Sequence, residues 1–135
     1  MHGPEHLIGL RVVAKPAVLD ATVWPTAATV LRFAADDAFV INAATVDVAD
    51  EHAIIESETS FVGWELSPTE FEHAFHHHLE WQIPAQRPVF VQGLAAAVPT
   101  KFWVQHDTVL VICAAAHAHE LAERCHLPHD PKAAR

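Results

Sequence analysis

His73 and His77 stand four residues apart in the segment SPTEFEHAFHHHLEWQ, residues 67–82. On one side of a helix, two imidazoles at i, i+4 have the spacing by which zinc and similar transition metals are gripped. Glu70 or Glu80 could add a carboxylate. A second group, His119, Glu123 and His126, recurs at i, i+4, i+7, so that one ion could bridge two of its members, while His117 lies on the other flank. In both places the plainer alternative is a solvent-facing polar side of a helix. The order Glu72-His73 is the reverse of the HExxH metalloprotease pattern, which is therefore absent.

His78 carries a different expectation. At about 100° per residue, Phe71, Ala74, Phe75, His78, Leu79 and Trp81 fall within one arc, which puts His78 among apolar neighbours as a core polar residue. A buried neutral imidazole needs a partner for its ring N–H, or it could serve as a general base. Other chemistry finds little footing. Cys113 and Cys125 read as buried, hence inert, thiols, although His117 stands four residues from Cys113. None of the serines sits in a G-x-S-x-G elbow, and the four glycines form no phosphate-cradling loop. Glu56 and Glu58 share one strand face with no cleft predictable around them. Four tryptophans are many for a chain without tyrosine; most are expected in the core, and Trp64, beside Gly63, and Trp103 are the candidates for an interface.

The elements that must position these residues follow from local signals. Ser67 as cap, Pro68 at the first helical position and Glu70 three residues on start a helix, predicted over 68–81 and ended before Pro84 and Pro88. A second helix over about 114–126 buries Ala118, Leu121, Ala122 and Cys125. Strands are predicted over 7–14, over 29–34 and 38–42 as a hairpin, over 53–56 and 61–66, over 89–97, and over 101–105 and 108–113 as a second hairpin. Gly93 and a run of alanines permit close packing in the strand that Pro99 breaks. Residues 15–28 read as a connection. The expected fold is α+β: a mainly antiparallel sheet of six or seven short strands with two helices on one face. One domain over 1–135 is expected, with flexible ends at 1–6 and 128–135.

Composition narrows the partners. A net charge of −9 with eight Lys plus Arg argues against nucleic acid and anionic membrane surfaces. Protonating all twelve histidines would carry the charge from −9 to +3, so its sign changes in mild acid. The longest apolar run, eight residues over 109–116, is far short of the roughly 20 needed to span a bilayer. No secretory leader is legible. If Cys113 and Cys125 end one helix they stand about 18 Å apart, too far for a disulfide, which fits a reducing cytoplasm.

The order of LRFAADDAFVI, a helix ending HHLEWQIP, the pair QGLAAAVPTKFW and the segment VLVICAAAHAHEL resembles the sarcosine oxidase gamma subunit, a relative of a half-domain of the aminomethyltransferase fold. Residues 33–39 stand at that family's hairpin. Residues 78–81 stand at a position of its helix, and Ile112-Cys113-Ala114-Ala115 stands at its strand-to-helix turn without that turn's Pro-Arg-Ser letters. The resemblance implies an accessory, non-catalytic subunit and transfers no catalytic residue. The expectation is therefore a non-enzymatic accessory or assembly subunit that binds a protein partner or itself. The alternative is a transition-metal protein using His73, His77, His119 and His126, with zinc or another transition metal as the ion. A small enzyme with His78 as base comes third.

Overall fold

Apolar side chains at every second position lay down strands with one buried side, and seven of them form here. The structure, a computed structural model, describes residues 2–129. Over these described residues it is α+β, mostly antiparallel, with seven strands and three short helices. Its contacts group residues 7–59 into one compact unit and residues 2–6 with 60–129 into another.

The 7–59 unit contains β1 (Glu5–Val13, begun in the other unit), α1 (Pro16–Ala21), β2 (Thr29–Ala34) and β3 (Asp37–Ile41). β3 lies between its antiparallel neighbours, with Gly9 and Thr29 both registered on Ile41. Val12, Ala14, Leu19, Ala38 and Val40 form its core, with Trp24 packed against them. Gly9 has no room for a side chain, since a Cβ there would lie 2.2 Å from the Val40 carbonyl oxygen. Arg11 ties the strands together by polar contacts. Its Nε and Nη2 donate to the two carboxylate oxygens of Asp37 at 2.9 and 2.5 Å, and its Nη1 donates to Glu58 at 2.7 Å. The guanidinium lies 4.8 Å from the centre of the Phe33 ring.

β4 (Ile54–Leu66) opens in the first unit and, from Ser60 on, belongs to the second. There follow α2 (Pro68–Phe75), β5 (Val89–Ala95), β6 (Val98–Val104), β7 (Val109–Ala114), a 3-10 turn at Ala115–His117 and α3 (Ala118–Cys125). Within this unit the strands run β4-β7-β6-β5, all antiparallel, from Leu66↔Val109 to Val89↔Val104. Trp64, Leu66, Phe102, Val104, Val111 and Cys113 from the strands share one core with Phe75 of α2 and with Leu121, Ala122 and Cys125 of α3.

Several expectations need correction. The helix predicted over 68–81 stops at Phe75, so residues 78–81, which the family resemblance places on a helix, run beyond its end. The helix predicted over 114–126 is strand at Ala114, 3-10 at 115–117 and α-helix only from Ala118. Cys113 is thus a strand residue, and both cysteines are free and buried. The two short strands predicted at 53–56 and 61–66 are one strand of 13 residues. Residues 16–21, expected to be a connection, form α1 with Pro16 at its first turn and Leu19 buried, a helix too short to show periodicity.

Pro99 sits inside β6 rather than breaking it. It faces Leu94, one pair beyond the closing pair Ala95↔Val98, where an antiparallel ladder needs no N–H toward the partner. The β6–β7 ladder begins only at Lys101↔Ile112. The turn between β5 and β6 is Ala96-Ala97, both left-handed at φ 49° and 67°, as a two-residue type I′ hairpin demands. Of the ends expected to be flexible, Glu5 and His6 are in β1, and the Pro128 carbonyl accepts a hydrogen bond from Trp64 Nε1 at 2.8 Å. Residues 1 and 130–135 lie outside the described residues. Among the described residues no helix is long and apolar enough to cross a membrane.

Candidate functional site

Ser67 and Glu70 cap α2 reciprocally: Glu70 N–H donates to Ser67 Oγ at 3.1 Å and Ser67 N–H donates to Glu70 Oε1 at 2.8 Å. These bonds, from the Ser67 backbone first, lower the Glu70 carboxyl below its ordinary value. The cap aims the helix so that Phe71 and Phe75 meet Phe102 of β6 at ring separations of 5.5 and 5.3 Å, both edge-on. This triple aromatic contact is the floor on which the site is built.

The helix ends where its backbone is drawn elsewhere. His78 N–H returns to the Phe75 carbonyl at 3.0 Å, and the His78 carbonyl accepts from Ala96 N–H in the β5–β6 turn at 3.0 Å. The chain then runs back over the sheet with Leu79, Trp81 and Ile83 packed inward. Trp81 covers Gly93: a Cβ there would come within 2.6–2.8 Å of three indole atoms. Its Nε1 donates to the Leu94 carbonyl at 2.9 Å.

Between α2 and this returning segment lies a solvent-open groove of about 790 Å³. Phe71, Phe75, Leu79, Trp81 and Ile83 supply its apolar lining. Its ionisable groups are Glu72, His76 and Arg87. Glu72 and His76 face each other at 3.1 Å one helical turn apart. Arg87 Nη1 donates to the carbonyls of Pro84 and Gln86 at 2.6 and 2.8 Å. The groove can enclose an apolar group and offer it charged contacts at the edge. It presents no thiol or activated hydroxyl.

The residues singled out in the sequence are placed differently from one another. His73 is exposed on α2, and His77 is exposed in the turn just beyond it. His77 meets the ring of His76 at 4.4 Å. His119 lies 3.3 Å from Glu123 and 5.3 Å, ring to ring, from His129. His126 is the left-handed residue that caps α3 at φ 56°, which takes it off the helical i, i+7 position. Among the described residues no group of three or more His, Cys, Asp or Glu side chains is disposed to hold a metal.

His78 is half-buried in the turn rather than on an apolar helical face. Trp64 is fully buried, not an exposed interface residue, because Gly63 beside it lies in the strand interior and its indole N–H is satisfied by Pro128. Trp103 is half-buried, registered between Phe90 of β5 and Leu110 of β7. Glu58, paired in sequence reasoning with Glu56, belongs to Arg11. Burial pushes the Cys113 thiol up to about 12 and the Cys125 thiol up to about 11, removing both as nucleophiles near neutrality.

Sequence reasoning missed Arg87 and the Glu72–His76 pair. The i, i+4 spacing of the pair was available as a signal. Arg87, set between two prolines in an irregular segment, offered none. Compared with known proteins, the chain matches no family model, no curated protein and no solved structure.

Proposed function

We propose that this chain is a non-enzymatic accessory subunit that acts by holding a partner protein in the groove beside α2. The observation that carries this reading is the groove itself, where aromatic and aliphatic side chains stay open to solvent beside a charged edge. A protein interface has the same anatomy, with an apolar, aromatic centre and a polar rim. Sequestered, proton-holding thiols and the absence of a nucleophile from the groove favour contact over chemistry. The resemblance in motif order to an accessory subunit agrees with this.

Ile83→Asp places a charge on the groove wall at a half-buried position, outside the fully buried residues of the core. Native co-purification with light scattering should recover the unaltered chain with a partner or as a self-association, and Ile83→Asp should lose that association with its circular dichroism unchanged. A strict monomer that recovers no partner would refute the reading.

A further inference from the structure

In a chain of net charge −9, arginines find carboxylates readily. Arg11 pairs with Asp37 and Glu58, Arg32 with Asp20, and Arg124 with Glu120. Among the described arginines, Arg87 alone has no carboxylate, although Glu72 lines the same groove and pairs with His76 instead. Both of its hydrogen bonds use Nη1 and end on carbonyls of its own segment. They fix the guanidinium and leave the edge formed by Nε and Nη2 unengaged. That is the edge with which Arg11 grips both oxygens of Asp37, the side-on bidentate geometry that suits a carboxylate.

We propose that Arg87 is the anchor of the groove for a carboxylate, and that the occupant is a partner-protein segment carrying Asp or Glu beside a large apolar side chain. This inference rests on the groove being a partner-binding site and names the chemistry of what it takes. The apolar group lies against Phe71, Leu79, Trp81 and Ile83, and the carboxylate closes on Arg87 at the edge. A small molecule fits less well, since such ligands are usually enclosed on most of their surface, whereas this groove is open to solvent. The charge argument also sets the polarity: the protein's overall negative field disfavours acidic segments elsewhere, so an acid held here is held by a local cation.

Phage-displayed random peptides selected on the full chain test the proposal. The unaltered protein should enrich peptides with Asp or Glu within a residue or two of Phe, Trp or Leu, and Ile83→Asp should abolish their binding. Replacing the selected peptide's acid by its amide should weaken binding to the unaltered protein by roughly 10–100-fold. Arg87→Gln should bind acid and amide peptides alike, and Arg87→Lys should restore only part of the difference. The peptide exchange leaves the protein untouched, so it decides the matter even where Arg87→Gln disturbs its loop. Groove-dependent apolar peptides with no preference for an acid would overturn the role of Arg87 and leave the groove reading standing. No enrichment on the unaltered chain would overturn both.

Discussion

The indole of Trp81 lies directly on the Cα of Gly93 and donates its N–H to the neighbouring Leu94 carbonyl at 2.9 Å. A side chain at position 93 would occupy the ring's place, and the hydrogen bond keeps the ring from yielding. Gly93→Ala should destabilise the protein by about 1–3 kcal/mol through overpacking and displace the groove wall. Urea unfolding followed by tryptophan emission measures the first effect. The loss of any groove-dependent association measures the second.

The Ala96-Ala97 turn holds two residues in a backbone region that costs an L-residue about 1–2 kcal/mol. It is held there from both sides, by Ala96 N–H on the His78 carbonyl and by Arg124 Nη1 on the Ala96 carbonyl at 2.7 Å. Ala97→Gly relieves the strain and gives back part of the gain in chain entropy. The expected outcome in calorimetry is a thermal midpoint raised by about 2–4 °C. A lowered midpoint would show that the strain relieved is smaller than the entropy lost.

Arg11, Asp37 and Glu58 are each less than a third exposed, so their bonds are only partly screened. Arg11→Lys keeps the charge but cannot reproduce the fork and should cost about 1–3 kcal/mol. A double-mutant cycle of Arg11→Lys with Asp37→Asn should return a coupling energy rather than additive losses. Additivity would remove the pair from the stability of the 7–59 unit.

The capping box predicts a pH signature. The folded protein lowers the Glu70 carboxyl below its unfolded value, so its contribution is present above the ordinary glutamate range and is lost as pH falls through the lowered value. Glu70→Gln should therefore be less stable than the parent at neutral pH and converge with it in acid. Ser67→Ala, which removes the cap's acceptor, should cost about 1 kcal/mol at neutral pH.

The two thiols predict the opposite slope. With Cys113 pushed up to about 12 and Cys125 to about 11, the unfolded chain ionises its thiols first. Their burial therefore opposes stability increasingly as pH rises above about 9, the ordinary thiol value. At pH 8 an aromatic disulfide reagent should titrate both thiols in denaturant and react at least about 100-fold more slowly with the native protein. Cys113→Ser or Cys125→Ser would each bury a hydroxyl in the apolar cluster, so Cys→Ala is the safer control.

How much of this was legible in the sequence depended on how local the cause was. Ser67, Pro68 and Glu70 lie within four positions and marked the start of α2 correctly. The hairpins about Ala35-Asp36 and His106-Asp107 are likewise readable from short alternating runs. The end of α2 is not, because Leu79 and Trp81 continue the helical periodicity although packing against the sheet core, and for Trp81 on Gly93, is what covers them. The Ala96-Ala97 turn lacks the Gly or Asn that usually betrays a type I′ hairpin, so Pro99 was taken for the break. Arg11 meets partners 26 and 47 residues away, and Arg87 matters through what it lacks. Neither property is written in spacing. The histidine spacings depend on the same helix ends: His77 lies just past α2, and His126 is the left-handed residue at the end of α3.

The hydrogen bond from Trp64 to the Pro128 carbonyl joins residues 64 apart in sequence. At synthesis rates of roughly 5–20 residues per second, the indole emerges about 3–13 seconds before its acceptor exists. During that interval the largest fully buried side chain of the 60–129 core lacks the acceptor of its N–H. The final contact of this side chain therefore waits on synthesis of Pro128, and slow decoding between residues 66 and 128 should lengthen the time the nascent chain spends without it.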